Sequence, residues 1–321
     1  MRAPRTTIAA ALLGLVLTGC GASDDSTDED TATSTSSAGE ELVVLEDDLS
    51  LQTVDNIVGV IRTEKLTPAA QQAIEKVTGA LTTEELVGLN RQVDLERKTP
   101  GAVAEAYLES ESLATGVSGG SGKVVVGAAG FSENQILANL FAGALDAAGF
   151  DADVKNVTNR EVYEPALESG QLDVFPEYVG TLTEFLNKKA NGPDAAAQAS
   201  GDLQKTVTAL RALAEPRGLT VLEPSEAADQ NAFAVTKAFA DAHDLTTLSD
   251  LEGYDGELVL GGPPECPTRP FCQPGLEKTY GLAFDDFLSL DAGGPLTKTA
   301  LRQGRIQVGL VFSSDGSLTA R

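Results

Sequence analysis

Apolar and polar positions follow two alternating periods along most of the chain. Residues 123–128, KVVVGA, form a β-branched run that predicts a strand. After a short turn, Ser132-Glu133-Asn134-Gln135 predicts a capping box opening a helix with Ile136, Leu137, Leu140 and Phe141 on one face. The alternation continues with strands predicted at 153–157, 172–175 and 219–222 and helices at 162–168 and 203–214. Strands at 257–261 and 306–312 follow, with a helix at 296–302 between them. Repeated β-α units imply mainly parallel sheets, whose ligands gather at the carboxyl ends of strands. Before residue 123 the pattern differs. One strand, Leu42 to Leu45, precedes helices announced by Thr67-Pro68, by Thr82 with Glu85 closing a capping box, and by Thr99-Pro100. Residues 114–122, ATGVSGGSG, read as a linker tethering two segments, reaching about 30 Å when extended.

The first forty residues carry no such pattern. Arg2 and Arg5 precede an apolar run from Ile8 to Leu17, which is too short to span a bilayer core and reads as a secretion signal over residues 1–19. The sequence Leu17-Thr18-Gly19-Cys20 resembles the lipobox of bacterial lipoproteins. That resemblance implies a lipid on Cys20 and a position on the outer face of the bacterial cytoplasmic membrane. Residues 20–40 are rich in Ser, Thr, Asp and Glu, with no large apolar side chain, and predict a solvated acidic tether. A calcium loop is the rival there, but the stretch lacks the glycine and distal glutamate such a loop needs.

Charge and composition exclude several classes. Lys+Arg 23 against Asp+Glu 48 leave a formal charge of −25, which excludes a nucleic-acid binder driven by phosphate contacts. With 42% hydrophobic residues the chain can bury a large core. One histidine, His243, no tryptophan and three cysteines leave few ligands for a metal and few partners for a nucleophile, so neither metal nor cofactor is expected. In an exported protein, Cys266 and Cys272, with five residues between them, read as a disulfide that stiffens its loop. A metal site is the rival reading, disfavoured by the distant histidine and by Pro267 and Pro270 between the cysteines.

Residues 123–321 resemble the substrate-binding proteins of quaternary-ammonium ABC importers, which capture glycine betaine, choline, carnitine and related osmoprotectants. The resemblance rests on VVVGAAGFSENQIL, LESGQLDVFPEYVGT, GGPPECPTRPFCQPGLEKTYG and LDAGGPLTKTALRQGRIQVGLVFSSDG. In that family the serine-aspartate segment runs on into a strand, an acidic turn, a crossing back to the first lobe and C-terminal helices. Here those elements stand at the front, as ELVVLEDDLSLQTVDNIVGVIR and ALTTEELVGLNRQVD. The chain therefore resembles a circular permutant, in which Arg321 would continue into Glu41. The resemblance implies an α/β, two-lobed periplasmic-binding-protein-like fold of type II, each lobe a mainly parallel sheet flanked by helices, with a hinge between lobes. Lobe one would comprise 55–113 and 123–231, and lobe two 232–321 and 41–54. It further implies a monomer that delivers its ligand to permease subunits.

The resemblance also proposes the site. A quaternary ammonium has no N–H to donate and is held by aromatic faces, so recognition should depend on rings more than on hydroxyls. Tyr178 matches a cage wall and Thr181 a polar contact. Phe233 and Phe312 fall where relatives often carry cage tyrosines, and each can equally be a core residue on a buried strand. Arg269 matches an arginine that reaches a betaine carboxylate. Asn231, Asn134 and Gln135 are candidate donors, the last two at a helix N-terminus that favours an anion. Where relatives often carry a further tyrosine, this chain has Val54, Asp55 and Asn56; Asp55 either offers a carboxylate to the cation or caps the turn. Other readings are a binder of an amino acid or polyamine, or a permuted sensor scaffold. An exported enzyme is weaker, because Ser313, Ser314 and Asp315 have no nearby histidine in the sequence.

Overall fold

The computed structural model describes residues 41–320; the signal, Cys20, the acidic tether and Arg321 lie outside the described residues. The chain begins with strands β1 (Leu42–Leu45) and β2 (Ile57–Arg62), followed by helices α1 (Pro68–Thr78), α2 (Thr83–Asp94) and α3 (Pro100–Ser110). Then come β3 (Lys123–Ala128), α4 (Ser132–Ala148), β4 (Asp151–Asn156), α5 (Arg160–Glu168), β5 (Val174–Tyr178) and α6 (Val179–Asn191). Next are α7 (Leu203–Ala214), β6 (Leu219–Val221), β7 (Asn231–Thr236), α8 (Lys237–Ala242) and β8 (Val259–Gly262). The last elements are α9 (Gln273–Tyr280), β9 (Asp286–Ser289), α10 (Pro295–Arg302), β10 (Val308–Phe312) and β11 (Thr319–Ala320).

The helix starts follow side-chain chemistry. Thr67 and Thr99 accept hydrogen bonds from the N–H groups of Ala70 and Ala102, each with proline as the first helical residue. Thr82 and Glu85 form a complete capping box. The capping box expected at Ser132 is absent. Phe131 is the N-cap of α4, and no side chain caps it. The polar side chains of that first turn are used elsewhere: Asn134 holds the preceding turn, and Glu133 reaches Tyr178.

Two sheets result, in the orders β4-β3-β5-β2-β6 and β11-β1-β7-β10-β8-β9. Both are mixed rather than mainly parallel. In the first, β3 runs parallel to β4 and β5, while β2 is antiparallel to β5 and β6. In the second, β7 is antiparallel to β1 and β10, while β8 is parallel to β10 and β9. Both reversals have one origin. β2 and β7 are the strands that enter each sheet directly from a segment crossing between sheets, and each runs against both of its neighbours.

The segment before residue 113 is not a separate unit. β1 lies inside the second sheet with Leu45 opposite Phe233, and β2 lies inside the first with Val60 opposite Phe175. Helices α1, α2 and α3 pack on α4. Ile57, Ile74, Val77 and Leu86 share one core with Ile136, Leu137, Leu140 and Phe141, all buried. The two crossing segments pair with each other: Ile57 donates to the Ala227 carbonyl and Asp229 to that of Asp55. Among the described residues no helix is long and apolar enough to cross a membrane.

Candidate functional site

A cavity of about 270 Å³ lies between the two sheets. It opens where strands end: residues 129–131 follow β3, 158–160 follow β4, Tyr178 closes β5, 263–272 follow β8, 290–292 follow β9 and Phe312 closes β10. Side chains at the carboxyl ends of parallel strands thus converge from both lobes. The walls are aromatic. The Phe131 ring stacks on Phe312 with centroids 5.3 Å apart, and the Tyr178 centroid lies 6.2 Å from Phe131. Phe131 and Tyr178 come from elements of the first sheet and Phe312 closes a strand of the second, so this aromatic surface is built from both sheets.

The polar walls are largely committed. Arg160, buried, donates from Nε and Nη2 to the two carboxylate oxygens of Glu177 at 3.0 and 2.7 Å, and from Nη2 to Thr181 Oγ1 at 2.9 Å. Arg269 reaches across the cleft to Glu161 of α5 at 3.0 Å and lies 3.4 Å from Glu265 on its own loop. Asp55 lies where the crossing segment meets the start of α6, and its Oδ1 accepts from the N–H groups of Gly180 and Thr181 at 2.8 and 3.0 Å. Gly180 permits that approach, since a Cβ there would sit 2.3 Å from the Val54 carbonyl oxygen. Burial pushes the Asp55 carboxyl up to about 7, against the backbone donors and Arg160, which favour its charged form.

Behind Tyr178 lies a buried network. Its hydroxyl donates to Glu133 at 2.8 Å; Asn90 of α2 and the Ser314 hydroxyl also donate to Glu133. The Ser314 N–H donates to Asp229 at 3.1 Å. Burial raises both carboxyls above their ordinary range, and the charge of Glu133 raises Asp229 further. The network joins α2, α4 and β5 of the first lobe to the loop after β10 of the second.

Of the residues expected in the site, Tyr178, Thr181, Phe312, Asn231, Arg269 and Asp55 line the cavity. Asn231 also donates to the Phe271 carbonyl at 3.0 Å. Phe233 does not line it. Two residues further along β7 than Asn231, on the same face, it is 1% exposed in the core with Leu45 and Leu310. Asn134 is fully buried and holds backbone, accepting from Ala129 N–H and donating to the Pro176 carbonyl. Gln135 is not among the lining residues. Cys266 and Cys272 are bonded, and residues 263–272 form a wall of the cavity.

Sequence reading missed Phe131, Arg160, Phe185, Phe271 and Asp229, all lining residues. Phe131 and Arg160 lie just past predicted strands, so the rule that ligands gather at strand carboxyl ends marked their positions without naming them. Phe271 and Asp229 owe their place to the disulfide loop and the crossing segment, for which no local pattern speaks.

Two mixed sheets joined by paired crossing segments, with the cavity between their strand ends, make a periplasmic-binding-protein-like fold. The chain belongs to the OpuAC family, the substrate binding domain of ABC-type glycine betaine transport systems, matched over residues 31–110 and 122–320. It is 28% identical over 207 residues to the glycine betaine-binding protein YehZ of Escherichia coli, covering 61% of this chain and 66% of that protein. It is 30% identical over 204 residues to a glycine-betaine-binding protein of Pseudomonas aeruginosa, covering 60% and 62%. The alignments thus span slightly less than two thirds of these relatives. A crystal structure of a glycine betaine/carnitine/choline ABC transporter aligns over 60% of this chain and 70% of that one, with 22% identity and a TM-score of 0.39.

Proposed function

We propose that this protein captures a quaternary-ammonium osmoprotectant between its two lobes and delivers it to the permease subunits of an ABC importer, catalysing no reaction itself. The observation that carries this reading is the aromatic cluster of Phe131, Phe312 and Tyr178 on facing walls of one cavity. A cation without N–H groups gains about 0.5–2 kcal/mol from each desolvated aromatic face, and a cavity assembled from both lobes ties that gain to closure. Among the described residues, the candidate serine and the histidine are engaged apart from each other. Ser314 donates to Glu133, and His243 packs against Phe239 and Tyr254.

The segment order belongs to the same reading: the chain is a circular permutant of its family, joined through residues 114–122. Supporting this, Val43 and Val44 of β1 run beside Thr319 and Ala320, so the last described residues lie next to the first strand. Calorimetric titration with glycine betaine, choline, carnitine, proline betaine and amino acids tests both ideas. A chain reordered to run 123–321 followed by 41–113 is expected to bind the same ligand within about threefold, since the contacts are unchanged. Failure of every quaternary ammonium to bind at millimolar concentration sinks the function; a reordered chain that cannot fold sinks the permutation.

The lipid on Cys20 is the remaining part. Wild type is expected in the detergent phase and Cys20→Ala in the aqueous phase, and finding both in the aqueous phase removes the anchor.

A further inference from the structure

The charges lining the cavity are unequal. Four lining residues carry carboxyls, Asp55, Asp229, Glu265 and Asp291, against two guanidinium groups. Both of those groups already hold carboxylates, Arg160 that of Glu177 and Arg269 those of Glu161 and Glu265. A ligand carboxylate would therefore share a guanidinium group whose charge a protein carboxylate already balances. A hydroxyl meets no such competition. Asp55 spends Oδ1 on Gly180 and Thr181, while its other oxygen, Oδ2, takes part in neither bond.

We propose that Asp55 makes this site selective for a hydroxyl-bearing quaternary-ammonium cation over a zwitterionic betaine, accepting the ligand hydroxyl on Oδ2 while the trimethylammonium group rests on the aromatic faces. The proposal rests on the quaternary-ammonium reading and narrows it. A net cation gains from the ionised Asp55 carboxylate, whereas a zwitterion brings a second carboxylate beside it.

The groups facing Asp55 are Arg160 from α5, Glu177 from β5, Asp229 from the second crossing segment and the backbone N–H groups at the start of α6. Because burial raises the Asp55 carboxyl to about 7, the free protein ionises it as pH rises through neutrality. Cation affinity should rise over the same window, since the ionised carboxylate is both the stronger acceptor and the counter-charge.

Calorimetric titration of the protein with choline chloride and with glycine betaine at about pH 6 and about pH 8.5 tests this. Choline is expected to bind at least about tenfold more tightly than glycine betaine at the higher pH, and about tenfold more tightly there than at pH 6. Asp55→Asn keeps an acceptor for the α6 N–H groups. It is expected to lose about tenfold in choline affinity at the higher pH and to flatten the pH profile, with melts confirming the fold. Glycine betaine binding as tightly as choline, or a pH profile unaltered in a folded Asp55→Asn, overturns the proposal while leaving the quaternary-ammonium function intact. Binding of neither ligand overturns that function as well. The wild-type comparisons stand whether or not the variant folds.

Discussion

Arg160→Leu is expected to destabilise the protein by about 3–5 kcal/mol, the range for removing one partner of a buried ion pair. The Arg160 and Glu177 side chains are 5% and 3% exposed, so water cannot replace the lost guanidinium. Glu177 would keep the N–H of Tyr178, at 3.1 Å, and its contact with the Tyr163 hydroxyl, neither of which carries a positive charge. Thr181 would lose its donor from Nη2 as well. For a chain of this size the cost corresponds to a fall in melting temperature on the order of 10 °C. The double variant Arg160→Leu/Glu177→Leu should recover most of it, because no uncompensated charge remains. Thermal melts of the three proteins decide the matter: a single-variant cost under about 1 kcal/mol would mean that the buried pair is not what holds this wall.

Phe131→Ala is expected to weaken binding of a quaternary ammonium by about ten- to a hundredfold, roughly 1.4–2.7 kcal/mol. Its ring is the one that faces both Phe312 and Tyr178, so its loss opens the aromatic surface at its middle. Phe131→Tyr, which retains the face, should stay within about threefold. Phe233→Leu is the matched control: a core substitution that costs stability and leaves affinity unchanged. Titrations with melts as a check separate these outcomes. Equal losses in Phe131→Ala and Phe233→Leu would mean that packing, not a cation-binding face, sets the affinity.

The contrast between those two phenylalanines shows how far the sequence could be read. Strands such as Leu42–Leu45 and helices such as Leu203–Ala214 were legible because periodicity and capping act within a few residues. Tyr178, Thr181 and Phe312 were legible through the segments around them. The depth of a residue along a strand was not. Asn231 and Phe233 share a face of β7, and only the packing of Leu45 and Leu310 decides that one lines the cavity while the other fills the core. β2 was hidden because a run of the form IVGVIR between two loops does not reveal which way it crosses, and with it the mixed character of the first sheet. Arg269 shows a third limit: its position in the cavity was expected, but its commitment to Glu161 depends on the other lobe.

The placement of β1 and β2 also bears on how the chain reaches this structure. Leu42–Leu45 finds a partner in β7, and Ile57–Arg62 in β5 and β6, so both leading strands wait for segments well over a hundred residues downstream. Until those arrive, two apolar strands have open edges and neither sheet can close. Contact order is therefore high for the earliest part of the chain, which makes folding slow and leaves LVVL and IVGVIR exposed to intermolecular pairing while it proceeds.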